Sequence, residues 1–148
     1  QLSSVNLRMF NVYGPGQDMT NLRQGMVSIY LAQALTNKHI VVKGSLERFR
    51  DFIYIDDVVE AWFRAATFAG VVGNTINIGT GVRTTVAQVL EAVKANVVGT
   101  TVEVTDPTPG DQNAIFADIT HMRALLGMSD FVQFADGVKR FSDFVKTV

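Results

Sequence analysis

The chain predicts a mixed α/β domain, and three observations carry that expectation. Short runs of β-branched and aromatic residues alternate with longer runs whose apolar residues recur at helical spacing. Clusters of Gly, Pro, Asn and Asp punctuate the changes from one to the other. No internal repeat, low-complexity tract or linker divides the 148 residues, a length that suits one domain with a sizeable core. A single unit spanning 1–148 is expected.

In order along the chain, Val5 to Val12 reads as a strand and "YGPGQDMTN" as the loop that ends it. Gly25 to Thr36 reads as a helix with Met26, Ile29, Tyr30 and Ala34 near one face. "HIVVKG" is a short strand and Phe49 to Ile55 another. A helix follows from Asp57 to Phe68, with Asp56 or Asp57 as its cap and Val58, Val59, Trp62, Ala65 and Ala66 at helical spacing. "NTINIG" is a strand, and Thr84 or Thr85 caps a helix that runs to Asn96. "TVEVT" alternates and is β-branched, as a strand does. After "DPTPGDQN" and the short "AIFAD", Asp118 or Thr120 caps a helix that Gly127 stops. The last helix runs from Phe134 to Val145, with Phe134, Val138, Phe141 and Val145 on one stripe.

Composition removes several classes of function. The net charge is -1 and the Lys and Arg are scattered, so no basic stripe suggests a nucleic-acid partner. There is no cysteine, hence neither a disulfide framework nor thiolate chemistry, and a cytoplasmic location is expected. No apolar run reaches the roughly 18 to 20 residues of a bilayer span, so no membrane role is expected. No signal-peptide pattern opens the chain. It starts at Gln1 and enters an apolar segment almost at once, which suggests a piece cut from something longer.

Known catalytic patterns are absent. No G-x-x-G-x-x-G or G-x-G-x-x-G follows a strand, and "NIGTG" reads as a tight turn into a helix. There is no G-K-[ST]. The two histidines, His39 and His121, do not form a zinc pair, and no G-x-S-x-G elbow supports a serine triad. None of Tyr13, Tyr30 and Tyr54 has a lysine four residues on. What remains are polar residues at strand ends, where α/β folds place ligands: Asn11, Arg50 and Asp111. A guanidinium suits a phosphate through two parallel hydrogen bonds, and a loop carboxylate suits a sugar diol. Each also has a plainer reading, as an ion pair with Asp51 or another acid for Arg50 and as turn capping for Asn11 and Asp111.

Four segments in this order, "RMFNVYGPGQ", "KGSLERFRDFIYIDDVVEA", "NTINIGTG" and "PGDQNAIFADIT", resemble the C-terminal half of the extended short-chain dehydrogenase/reductases. Within them the chain is most similar to the NAD-dependent sugar-nucleotide epimerases and dehydratases, from Leu2 to about Phe144. The resemblance implies a C-terminal substrate-binding domain plus the last strands of a Rossmann-like sheet. The dinucleotide-binding part and the catalytic tyrosine-lysine pair would lie upstream and are absent here. NAD would be the cofactor of the parent enzyme and would not be held by this chain alone.

By the same resemblance, Asn11 contacts the diphosphate or sugar, Phe10 packs near the nicotinamide, Arg50 clamps the diphosphate and Asp111 holds the nucleotide ribose. Gly25, Met26, Val41 and Lys43 lie where the family holds phosphate and base, largely through backbone. Three departures stand out. Thr108 occupies a position often held by a second phosphate-clamping arginine, whose charge-assisted bond is worth about 1.5 to 3 kcal/mol, so Arg23 or Arg83 would have to take over. "GSLERF" replaces the usual loop before "RDF", and Lys43 stands where an aromatic residue often meets the base. "FNVYGPGQ" with "RDFIYIDDVV" is more like the 4-epimerases of UDP-sugars, which oxidise C4 transiently. A dehydratase or decarboxylase, or a non-catalytic binding module, are the alternatives. The partner implied is a nucleotide sugar, and an exposed apolar sheet edge would favour a homo-oligomer.

Overall fold

A computed structural model describes residues 3–23, 25–107, 110 and 112–147. Among the described residues, the alternation read from the sequence is present as thirteen elements in a mixed α/β arrangement. The first predicted strand is two: β1 (Asn6–Met9) and β2 (Asn11–Tyr13), separated at Phe10. The break has a cause in pairing. β1 runs parallel to β6 (Thr75–Ile78), with Arg8 opposite Asn77, whereas β2 runs parallel to β5 (Phe52–Tyr54), with Asn11 opposite Phe52. At Phe10 the chain changes partner: its N–H donates to Ile78 O, and the next N–H, from Asn11, donates to Asp51 O.

The predicted strand Phe49 to Ile55 is divided in the same way. β4 (Phe49–Arg50) pairs antiparallel with β7 (Thr84–Thr85), and β5 begins after Asp51. The helix α2 (Ile55–Thr67) then starts two residues before the position expected. Neither Asp56 nor Asp57 caps it. Tyr54 occupies the cap position without a side-chain bond, and both acids sit in the first turn, where they favour the positive end of the helix. Asp57 instead accepts from the Val132 N–H at 3.0 Å, joining α2 to the segment before the last helix.

Elsewhere the expected elements hold with small shifts. α1 (Met26–Asn37) leads directly into β3 (His39–Lys43), which lies parallel to β8 (Thr101–Thr105). α3 (Val86–Asn96) carries a reciprocal capping box between Thr85 and Gln88. Before α4 (Thr120–Leu126), Ile119 is the cap residue, and Asp118 accepts from the Thr120 N–H and hydroxyl; Gly127 ends the helix in a left-handed conformation. α5 (Phe134–Thr147) buries Val138 and Phe141 as its stripe predicts. The segment "AIFAD" forms no strand, only a bridge from Ala114 to Phe49.

Two cores hold these pieces. One gathers α1, α3 and α5 around β3, Tyr13, Phe52 and Tyr54; the other gathers α2 and α4 around Ile53, Ile76 and Ile78. α2 buries Val58, Ala61 and Ala65, so the stripe read from the sequence is only half right. Val59, Trp62 and Phe63 are 60%, 54% and 63% exposed, because the sheet beneath α2 meets only one side of it. Among the described residues, no helix is long and apolar enough to cross a membrane.

Candidate functional site

The site is organised from the junction at Asp51. This aspartate is fully buried between β4 and β5, and its carboxylate is saturated. Oδ1 accepts from the Thr80 N–H at 2.8 Å and the Thr80 hydroxyl at 2.7 Å. Oδ2 accepts from the Gly81 N–H at 2.8 Å and the Ala117 N–H at 3.1 Å. Buried charge survives in a protein only with such compensation. Gly79 is required beside it, since a Cβ there would lie 2.8 Å from Asp51 Oδ2 and 2.7 Å from the Ala117 Cβ. Asp51 therefore acts as a clasp joining three loops, a role the pairing of Arg50 with Asp51 in sequence does not suggest.

The clasp also sets Asn11. The Asp51 main-chain oxygen accepts from the Asn11 N–H at 3.1 Å and from its Nδ2 at 3.0 Å. A carbonyl takes only donors, so the carboxamide orientation is determined and Oδ1 is the atom left without a protein partner among the described residues. Asn11 lines a cleft of about 610 Å³ together with Phe10, Tyr13, the turn Gly14 to Gln17, Gly25 and Met26. Among the described residues, no charged one lines this cleft. The buried Gln17 Oε1 makes no hydrogen bond among the described residues.

A second cleft, of about 730 Å³, shares Gly25 and Met26 with the first and continues along β3. It is lined by Val41, Lys43, Arg23 and Arg48, with Tyr30 and Gln33 of α1. Gly25 links the two by necessity. Its φ of 93° is one that side chains rarely adopt, and Ser28 and Gln17 fill the space a Cβ would need. Val41 is less available than its position suggests: its N–H donates to Gln33 Oε1 at 3.0 Å, so that backbone donor is already used.

The sequence-predicted residues thus separate into three groups. Phe10 and Asn11 line the first cleft, Val41 and Lys43 the second, and Gly25 and Met26 both. Arg50 lines neither; its guanidinium donates to Phe49 O at 2.9 Å and Gln112 O at 2.6 Å, bracing the loop after β8. Partial burial lowers its pKa, with Arg48 adding to the effect. Asp111 and Thr108 lie outside the described residues. Arg48 was not anticipated. Its guanidinium donates to Ser45 O and to Lys43 O, and its spacing of two from Arg50, which puts both on one side of an extended chain, is the signal that could have found it.

Of the two cations offered as replacements at Thr108, the structure separates their surroundings. Arg83 stacks over Phe116 at 4.2 Å and Phe49 at 5.3 Å, while Arg23 lines the second cleft. The histidines lie apart: His39 meets the Thr101 hydroxyl and Glu103, and His121 donates Nδ1–H to Thr75 O. Among the described residues, no group of three His, Cys, Asp or Glu is placed to hold a metal. For a dinucleotide such as NAD, the chain offers Phe10, which also packs against the α2/α4 core, and no glycine-rich turn of its own for the pyrophosphate.

Known proteins with this arrangement agree on a family. The model of the NAD dependent epimerase/dehydratase family matches residues 1–79. The UDP-glucose 4-epimerase of Mycolicibacterium smegmatis is 34% identical over 138 residues, covering 92% of this chain and 43% of that protein. The dTDP-4-dehydro-6-deoxyglucose reductase of Escherichia coli is 32% identical over 142 residues, covering 93% and 43%. The crystal structure of Thermotoga maritima UDP-glucose 4-epimerase with UDP-glucose superposes with a TM-score of 0.90 at 31% identity, covering 99% of this chain and 47% of that one. The chain spans less than half the length of each, and it belongs to the NAD dependent epimerase/dehydratase family.

Proposed function

We propose that residues 1–148 are the nucleotide-sugar-binding domain of an NAD-dependent epimerase/dehydratase, acting in the cytoplasm on a UDP-sugar as a 4-epimerase by transient oxidation at C4. The observation that carries this reading is the double cleft, two neighbouring clefts that share Gly25 and Met26. Six residues singled out from the sequence, Phe10, Asn11, Gly25, Met26, Val41 and Lys43, line it. The likeness to two proteins named UDP-glucose 4-epimerase supports the choice of substrate.

Each residue has a task in this proposal. Asn11 offers Oδ1 to a hydroxyl of the sugar while its Nδ2 stays on the Asp51 carbonyl. Phe10 shields the reacting carbon and the nicotinamide from water. Arg50 clamps the diphosphate, turning from the loop carbonyls it now holds, and Asp111 takes the ribose diol. In the parent enzyme NAD would supply the hydride chemistry at C4, and the base that moves the C4 hydroxyl proton would come from the part of the enzyme that the relatives have beyond this match. A reductase on the same scaffold is the second reading, favoured by the E. coli relative of nearly equal identity.

Calorimetric titration of the 148-residue chain with UDP and UDP-glucose tests the binding half. Saturable binding is expected, weakened about tenfold or more in Arg50→Ala through loss of a charge-assisted contact. A flat titration of a demonstrably folded sample overturns the proposal. Addition of NAD and UDP-glucose should give no UDP-galactose, because no Y-x-x-x-K is present to move the proton.

A further inference from the structure

The two halves of the double cleft differ in charge. The first, around Phe10 and Asn11, is lined by no charged residue among the described residues. The second carries Arg23, Lys43 and Arg48 and, among the described residues, no acid. In a chain of net charge -1 this is a local concentration of positive charge in a concave surface, the arrangement that focuses potential on an anion.

The three cations are not equivalent. Arg48 is buried and spends its guanidinium on the carbonyls of Ser45 and Lys43, so it shapes the loop before β4. The side chains of Arg23 and Lys43 make no hydrogen bond or ion pair among the described residues. The main chain of Arg23 is nevertheless placed, since its N–H donates to Asn21 Oδ1 at 3.0 Å in the turn before α1. A positioned backbone with an unpartnered guanidinium on a basic cleft wall is suited to a ligand that supplies the acceptors. Arg83 is not in that state, being held between two aromatic rings.

We infer that Arg23, assisted by the charge of Lys43, grips the phosphates of the bound nucleotide in the basic half of the cleft, with the uncharged sugar directed across Gly25 into the neutral half. This rests on the nucleotide-sugar reading above and adds to it a residue and a direction for the ligand. It also supplies the cation that Thr108 does not.

The test is calorimetry of the 148-residue chain with UDP and with uridine, at low and moderate salt, for the unaltered chain, Arg23→Gln, Arg23→Lys and Arg83→Gln. The expected result is an affinity for UDP reduced about tenfold in Arg23→Gln, partly restored in Arg23→Lys, and unchanged for uridine. The salt dependence of UDP binding should flatten in Arg23→Gln, while Arg83→Gln should leave UDP affinity within about twofold. If the unaltered chain binds UDP and Arg23→Gln binds it equally, the inference falls and the nucleotide-sugar reading stands. Equal losses for UDP and uridine also overturn it, since they would mean a structural role. If the folded, unaltered chain binds neither, the nucleotide-sugar reading fails first and takes the inference with it.

Discussion

The Asp51 clasp and the Arg23 wall are both built around charge, and they treat it in opposite ways. Asp51 is buried, and its carboxylate accepts four hydrogen bonds from Thr80, Gly81 and Ala117. Arg23 and Lys43 line an open cleft, and their side chains donate none among the described residues. A buried charge must be fully compensated by the protein itself, or folding would not tolerate it. A charge on a cleft wall is solvated until a ligand arrives, so the fold need not satisfy it. The first region sets geometry for the second: Asp51 fixes Asn11 through its carbonyl and the turn Gly79 to Gly81 through its carboxylate.

The largest effect should come from breaking the clasp. Asp51→Ala leaves three backbone N–H groups without their acceptor, that of Ala117 buried and those of Thr80 and Gly81 half-buried, and a loss of about 3 to 5 kcal/mol is expected in urea unfolding. Unfolding unchanged within about 1 kcal/mol would show that the clasp is not what holds these loops. Gly79→Ala is next, because the added methyl meets Asp51 Oδ2 and Ala117; about 1 to 3 kcal/mol should be lost, with the loss shrinking when Asp51 is already alanine. Additive losses would mean the two positions act independently. Arg23→Gln should change stability by less than about 0.5 kcal/mol, as suits a side chain without protein partners, while weakening UDP. A marked fall in melting temperature for Arg23→Gln would erase the contrast between the two regions.

How much of this was readable varies residue by residue. Thr85 as a cap, Gly127 as a stop and the β3 and β8 strands were legible because each depends on neighbours close in sequence. The breaks at Phe10 and Asp51 were not. They arise where a strand exchanges one partner for another far along the chain, and nothing local records that exchange. Asp56 and Asp57 looked like caps because acids before an apolar run usually are; β5 passing straight into α2 moved the helix start ahead of them. For the site, the residues implied by the family resemblance gather on the cleft except Arg50, which the structure shows on loop carbonyls, and Asp111, which lies outside the described residues. Arg48 and the role of Asp51 were missed because hydrogen-bond partners 29 to 66 residues away define the latter.

By itself the sequence determined the alternation of strands and helices, the lack of a dinucleotide fingerprint and of a tyrosine-lysine pair, and the family to which its motifs point. Those properties rest on periodicity, local capping and residue identity, which neighbouring positions encode. Tertiary structure alone decided which charges are spent on the fold and which remain for a ligand. Whether a guanidinium or carboxylate meets a buried donor, a loop carbonyl or an open cleft depends on segments brought together from across the chain.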